Sequence, residues 1–198
     1  MRFYSGHGSE PTIPLALTLS KWHTCNMELT TAISLIEDAV APQHQTWADL
    51  GAGTGLFTEA LLHILPESAQ VHALDKSPRY LYDLWRSHRK RLIVHDGDFT
   101  REMELPPQDG ILMANALHYV QDKQGFLPHI LSYLKPGGTF LLVEYETDHP
   151  QPPWVPYPLS FTTFKKLATQ LGLTDIQKLH QVSSAYGYQG IYAASGKV

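Results

Sequence analysis

The chain has 198 residues, with 15 Lys+Arg against 19 Asp+Glu, a net charge of −4, and 43% hydrophobic residues. That length and composition support one folded domain with a real core and exclude a wholly disordered chain. No apolar run approaches the ~18 residues of a membrane helix, and the negative charge does not point to salt-driven binding of nucleic acid.

Residues 1–25 have weak periodicity and contain Gly6, Gly8, Pro11 and Pro14. They are read as an N-terminal arm or lid, with residues 26–198 forming the domain. The arm has no secretory apolar stretch, so a cytoplasmic protein is expected. Its Cys25 is the single cysteine. An internal disulfide is therefore impossible, a cysteine-based zinc site lacks its usual partners, and no metal is expected.

Over 27–40, Leu29, Ala32, Ile33, Leu35, Ile36 and Val40 recur at helical spacing, and Pro42 ends the helix. A short apolar strand at 46–50 stops at a glycine cluster, and a helix follows over 56–65. The alternation continues with a strand at 70–74, a helix at 79–87, strands at 92–94 and 110–114, and a helix at 123–134. Pro136-Gly137-Gly138 then makes a turn before a strand at 139–143. Such alternation predicts an α/β, Rossmann-like, doubly wound and mostly parallel seven-stranded sheet with helices on both faces. The last third breaks the pattern. Five prolines between 148 and 158 require an extended loop. A helix at 162–171 precedes strands at 173–182 and 189–194, with no room for a crossover helix between those two strands. They are therefore expected to pair antiparallel.

The most informative segment is Asp49-Leu50-Gly51-Ala52-Gly53-Thr54-Gly55. Alternating glycines after a strand and before a helix let a chain turn sharply and a ligand approach the backbone. The generic reading is a nucleotide-type cofactor at the strand end. A dinucleotide fingerprint would need a small residue at position 56, where this chain has Leu56, and no Gly-Lys-Ser/Thr follows to make a phosphate loop. An acid two residues ahead of the first glycine would crowd a pyrophosphate but could pair with a cationic ammonium group. A purely structural turn is the competing reading.

With these motifs the sequence resembles the class I S-adenosylmethionine-dependent methyltransferase family over roughly residues 27–195. Asp49–Gly55 matches the family's cofactor loop, and Val71-His72-Ala73-Leu74-Asp75 its acid-tipped second strand. His95-Asp96-Gly97-Asp98-Phe99 resembles the adenine segment, and the stretches 109–119 and 134–144 its fourth and fifth strands. The resemblance implies that Asp49, Gly51, Ala52, Gly53, Gly55, Asp75, Lys76, Asp98, Phe99 and Asn115 bind S-adenosylmethionine. Within that set, Asp75 accepts from the ribose hydroxyls, Asp98 takes the adenine amine and Phe99 lies against the base. It also implies S-adenosylhomocysteine as product.

On the acceptor side, His118 sits where the family's fourth strand delivers substrate-side groups, and a histidine can act as a base near neutral pH. Glu144 and Tyr145 at the end of the fifth strand share that mouth, and these three are the catalytic candidates. Packing is the alternative for each. Asn115-Ala116-Leu117-His118 departs from the Asn/Asp-Pro-Pro-aromatic motif of amino-methylating nucleic-acid enzymes, so no nucleic-acid partner is expected, and the lack of a long apolar run gives no membrane partner either. A small-molecule acceptor methylated at oxygen or nitrogen is favoured. A protein methyltransferase and a non-catalytic S-adenosylmethionine-binding regulator stay as alternatives. Trp154, Tyr157 and Phe161 either line an acceptor pocket or anchor their loop. The basic run 86–91 is read as a solvated helix end, with partner binding as the other reading.

Overall fold

The structure is a computed structural model that describes residues 27–183 and 190–198; the expected arm at 1–25 lies outside them. The chain opens with α1 (Leu29–Ile36), which buries Ala32, Leu35 and Ile36 and tightens into a 3-10 turn at Glu37–Ala39. Then come β1 (Thr46–Leu50), α2 (Leu56–Ile64), β2 (Gln70–Asp75), α3 (Arg79–His88) and β3 (Leu92–Asp96). The second half holds β4 (Gln108–Ala114), a 3-10 turn at Leu117–Tyr119, α4 (Lys123–Leu131) and β5 (Leu134–Tyr145). It closes with α5 (Phe161–Gln170), β6 (Thr174–Val182) and β7 (Ile191–Lys197).

These strands form one seven-stranded sheet in the order β3-β2-β1-β4-β5-β7-β6. Pairing is parallel from β3 through β5 and antiparallel at β5–β7 and β6–β7. The expected mixed, doubly wound sheet is therefore the observed one.

Side chains two apart on a strand share a face, and the core divides accordingly. Trp47, Val71, Ala73, Leu112, Leu141 and Val143 point to the face covered by α1, α2 and α3. Ala48, Leu50, Ile111, Met113, Phe140 and Leu142 point to the face covered by α4 and α5. Local capping matches the elements. Asp122 accepts from Gly125 N at 2.9 Å to start α4, and Ser160 accepts from Thr163 N at 3.3 Å to start α5.

Two boundaries differ from the sequence reading for one reason. The helix expected over 123–134 stops at Leu131 because Leu134 pairs with Gln108 as the first residue of β5. The expected turn at Pro136-Gly137-Gly138 is an excursion inside that strand. Pairing resumes at Gly110↔Thr139 with a register shift. A partner strand, not a local propensity, sets both ends. The basic run differs as well. Arg91 is buried, and its guanidinium donates to the carbonyls of Leu62, Leu65, Pro66 and Ala69, closing the end of α2 rather than standing in solvent.

Candidate active site

The strand order reverses at β1, which has β2 on one side and β4 on the other. At such a switch point the loops beyond the carboxyl ends of the strands part and leave a crevice for a ligand. Here those loops are Gly51–Gly55 after β1, the segment from Asp75 after β2, Gly97–Phe99 after β3 and Asn115–Val120 after β4.

Asp49 is buried on the α1–α3 face, where Thr58 Oγ1 donates to its Oδ2 at 2.6 Å. Its Oδ1 is buried and has no hydrogen-bond partner among the described residues. Burial pushes this carboxyl up to about 7, against the Thr58 hydrogen bond and with a smaller push from Asp75. Thr58 was not among the candidates. The available signal was a hydroxyl on the buried face of the helix that follows the glycine loop.

The three glycines have different reasons to be there. Gly51, Gly53 and Gly55 all lie at positive φ, at 80°, 56° and 89°. A Cβ on Gly51 would sit 2.7 Å from Ala116 Cβ and 3.1 Å from the Phe99 ring. One on Gly55 would meet Leu81 at 3.1 Å and Leu84 at 3.3 Å. Only at Gly53 is the added atom clear of everything but the Gly51 carbonyl oxygen, at 4.0 Å. Protein packing thus demands Gly51 and Gly55, and Gly53 is the open position.

Asp75 joins the loop to β2. Gly53 N donates to its Oδ2 at 2.8 Å, and Ser77 N to its Oδ1 at 2.8 Å. Each carboxylate oxygen retains a further lone pair for a ligand hydroxyl. The adjacent Lys76 pairs with Asp98 at 3.0 Å. Burial would raise the Asp98 carboxyl, but hydrogen bonds from Thr100 and Lys76 and the Lys76 charge hold it at about 2. Phe99 is buried beneath Gly51, with Phe126 at 5.9 Å between ring centroids. Asn115 follows β4 at φ 50°, its N donating to Val143 O at 2.8 Å, and its buried Oδ1 has no partner.

Beyond Asn115 the chain turns on itself and buries His118 on the α4–α5 side of β5. His118 Nδ1 lies 2.7 Å from Glu144 Oε2, and His118 N donates to Glu144 Oε1 at 3.0 Å. Both side chains are almost fully buried. If Glu144 is ionised it can only accept, which puts the shared proton on Nδ1, and a neutral ring then has its lone pair at Nε2. That Nε2 is buried and has no partner among the described residues. The rings of Tyr119 and Tyr145 stand 4.3 and 6.0 Å from the imidazole centroid. The structure therefore brings His118, Glu144 and Tyr145 close together.

The proline-rich loop is tied to this segment. Tyr157 N donates to His118 O at 3.0 Å, while Lys123 Nζ donates to Val120 O at 2.7 Å and Tyr157 O at 2.5 Å. Val155 and Leu159 are the buried anchors of the loop, and Trp154 and Tyr157 keep 36% and 39% of their surface exposed. Phe161 packs against Tyr192 at 6.0 Å. Lys123 was not among the candidates, and nothing local in the sequence marks it. Among the described residues no group of three or more His, Cys, Asp or Glu could hold a metal, and no helix is long and apolar enough to cross a membrane.

Known proteins resemble this chain in sequence and fold. The family described as a methyltransferase domain matches residues 48–140. A demethylmenaquinone methyltransferase of Tropheryma whipplei is 35% identical over 106 residues, 52% of this chain and 42% of that protein. A malonyl-[acyl-carrier protein] O-methyltransferase of Ilyobacter polytropus is 26% identical over 106 residues, covering 50% and 39%. The matched stretch thus spans less than half the length of these relatives. Among solved structures, a Burkholderia thailandensis 1,6-didemethyltoxoflavin-N1-methyltransferase superposes with a TM-score of 0.72 at 18% identity, over 92% of this chain and 85% of that one. A methyltransferase from Aquifex aeolicus superposes with a TM-score of 0.63 at 18% identity, over 87% and 99%. Both likenesses are of fold.

Proposed function

We propose that this chain, a member of the class I S-adenosylmethionine-dependent methyltransferases, moves the methyl group of S-adenosylmethionine to an oxygen or nitrogen of a small-molecule acceptor and releases S-adenosylhomocysteine. The observation that carries the reading is the contact of Gly51 with Ala116. It sets the cofactor loop directly against the segment that bears His118 two residues later.

The residues fit the cofactor. Asp49 has one buried carboxylate oxygen without a partner, suited to a cationic ammonium group. Gly51, Ala52, Gly53 and Gly55 form the turn, and Gly53 leaves room for close approach. Asp75 would accept from the ribose hydroxyls. Asp98, oriented by Lys76 and Thr100, would take the adenine amine, with Phe99 as the wall behind it and Asn115 closing the far side. S-adenosylmethionine supplies a methyl group on a sulfonium, a leaving group already activated, so the protein's task is alignment and exclusion of water.

His118 acts on the acceptor. Its Nδ1–H is held by Glu144, so Nε2 can take a hydroxyl proton as the acceptor oxygen attacks, and the imidazolium formed is stabilised by the same carboxylate. The rings of Tyr119 and Tyr145, 4.3 and 6.0 Å from the imidazole centroid, would flank that acceptor. Acceptors named for related proteins, a demethylated menaquinone and a demethylated toxoflavin, support a small molecule.

The test is mass-spectrometric detection of S-adenosylhomocysteine with a panel of phenols, carboxylic acids and amines. Turnover of a hydroxyl acceptor should fall by ~10²-fold or more in His118→Gln, with S-adenosylmethionine affinity unchanged. Product formation at background level across the whole panel, or a His118→Gln enzyme as fast as the parent, would contradict the reading.

A further inference from the structure

Two neighbouring features lie outside the methyl-transfer site, toward the end of the sheet opposite its loops. The first is the outer stripe of α3. Tyr82, Trp85, Arg86 and Arg89 recur at helical spacing and so share one side of the helix. Tyr82 is 46% and Trp85 38% exposed, and the Arg89 guanidinium lies over the Trp85 ring, 5.9 Å from its centroid. The second is a cavity of about 690 Å³ where α2 and α3 end, lined by His63, Glu67, Arg86, Arg89 and Lys90 among others.

Arg86 lies in the last turn of α3 and Arg89 at its C-cap, where a cation suits the helix end, yet both side chains stay exposed. Arg86 pairs only with its own helix neighbour Asp83, at 2.7 Å with both side chains about 70% exposed, a geometry that contributes little. Arg86, Arg89 and Lys90 therefore remain as exposed positive charge on a chain whose net charge is −4. Exposed Trp and Tyr interleaved with Arg is the composition that dominates binding energy at protein interfaces.

We propose that this stripe and cavity dock an acidic, partly apolar segment of another protein. Its carboxylates would meet Arg86, Arg89 and Lys90, and its apolar side chains would cover Tyr82 and Trp85. Nucleic acid is the poorer occupant, because the Arg89 guanidinium covers a face of Trp85 on which a base would stack.

The test is titration of the full chain with a synthetic amphipathic peptide built from Glu and Leu. A Lys-for-Glu counterpart and a short duplex DNA serve as comparisons. The acidic peptide alone should bind, more weakly as salt rises, and at least ~10-fold more weakly to Arg86→Glu/Arg89→Glu. Trp85→Ala should also weaken it, and the milder Arg86→Gln/Arg89→Gln pair should give an intermediate loss. S-adenosylmethionine affinity and circular dichroism should be unchanged in all three. Absence of peptide binding, equal affinity in the charge-reversed variant, or tighter binding of the duplex would overturn the proposal.

Discussion

Both carboxylate oxygens of Glu144 hold one residue: Oε2 meets His118 Nδ1 at 2.7 Å, and Oε1 accepts the His118 backbone N–H at 3.0 Å. The carboxylate thereby fixes both the ring and the turn that carries it. Glu144→Gln keeps the shape but removes the anion that stabilises a protonated imidazole, so kcat for a hydroxyl acceptor should fall by ~10²-fold with little change in cofactor affinity. Glu144→Ala leaves buried His118 N–H donors unsatisfied, which should lower stability by about 1–3 kcal/mol. Single-turnover methyl transfer and urea unfolding separate the two effects.

On the proposed function, Asp49 would link cofactor binding to pH. Its folded carboxyl sits at about 7, above the ordinary 3.8, chiefly through burial. A raised carboxyl contributes stability that is complete below 3.8 and is lost as pH rises through about 7. A bound ammonium group favours the ionised form, so S-adenosylmethionine should bind more tightly as pH rises through that value, releasing a proton. Calorimetry in buffers of different ionisation enthalpy should detect the release. Asp49→Asn should abolish both the release and the slope.

His72 and His95 give the opposite dependence. They face each other across β2 and β3, with His72 Nδ1 3.0 Å from His95 Nε2. Burial, then the charge of His95, lowers His72 from 6.5 to about 4. In that interval the unfolded chain takes up a proton that the fold refuses, so stability should decline as pH falls from 6.5 towards about 4. Urea midpoints measured across this range should flatten in His72→Phe.

Gly110 has a packing reason to be glycine. A Cβ there would overlap the indole of Trp47, a fully buried side chain on the neighbouring strand. Gly110→Ala should therefore cost about 1–3 kcal/mol, read as a lower urea midpoint. The cofactor loop lies at the far end of β1, so S-adenosylmethionine affinity should be retained in the folded fraction.

The sheet was legible because its strands and helices alternate locally: the runs at 46–50, 70–74 and 110–114 all fall within observed strands. What local signals could not show was pairing. Leu134 joins β5 only because Gln108 lies beside it. His118 and Glu144 were each named from their places in the chain, but their bond depends on the parallel register that sets Ala114 opposite Val143. The glycine loop divides the same way. Its pattern was visible, yet the reason for Gly51 lies in Ala116 and Phe99, and that for Gly55 in Leu81 and Leu84, all distant in sequence. The His72–His95 pair escaped notice because neither residue is unusual until two strands align them.

The most direct test of the central claim is calorimetric titration of the folded, ligand-free chain with S-adenosylmethionine and S-adenosylhomocysteine, with NAD as control and Asp75→Ala alongside. Binding of both adenosyl ligands but not NAD, weakened by roughly 1–3 kcal/mol in the variant as a hydrogen-bonding acid is lost, is the predicted result. No binding of either adenosyl ligand, or binding of NAD in their place, would contradict the assignment of the glycine loop and of the function built on it.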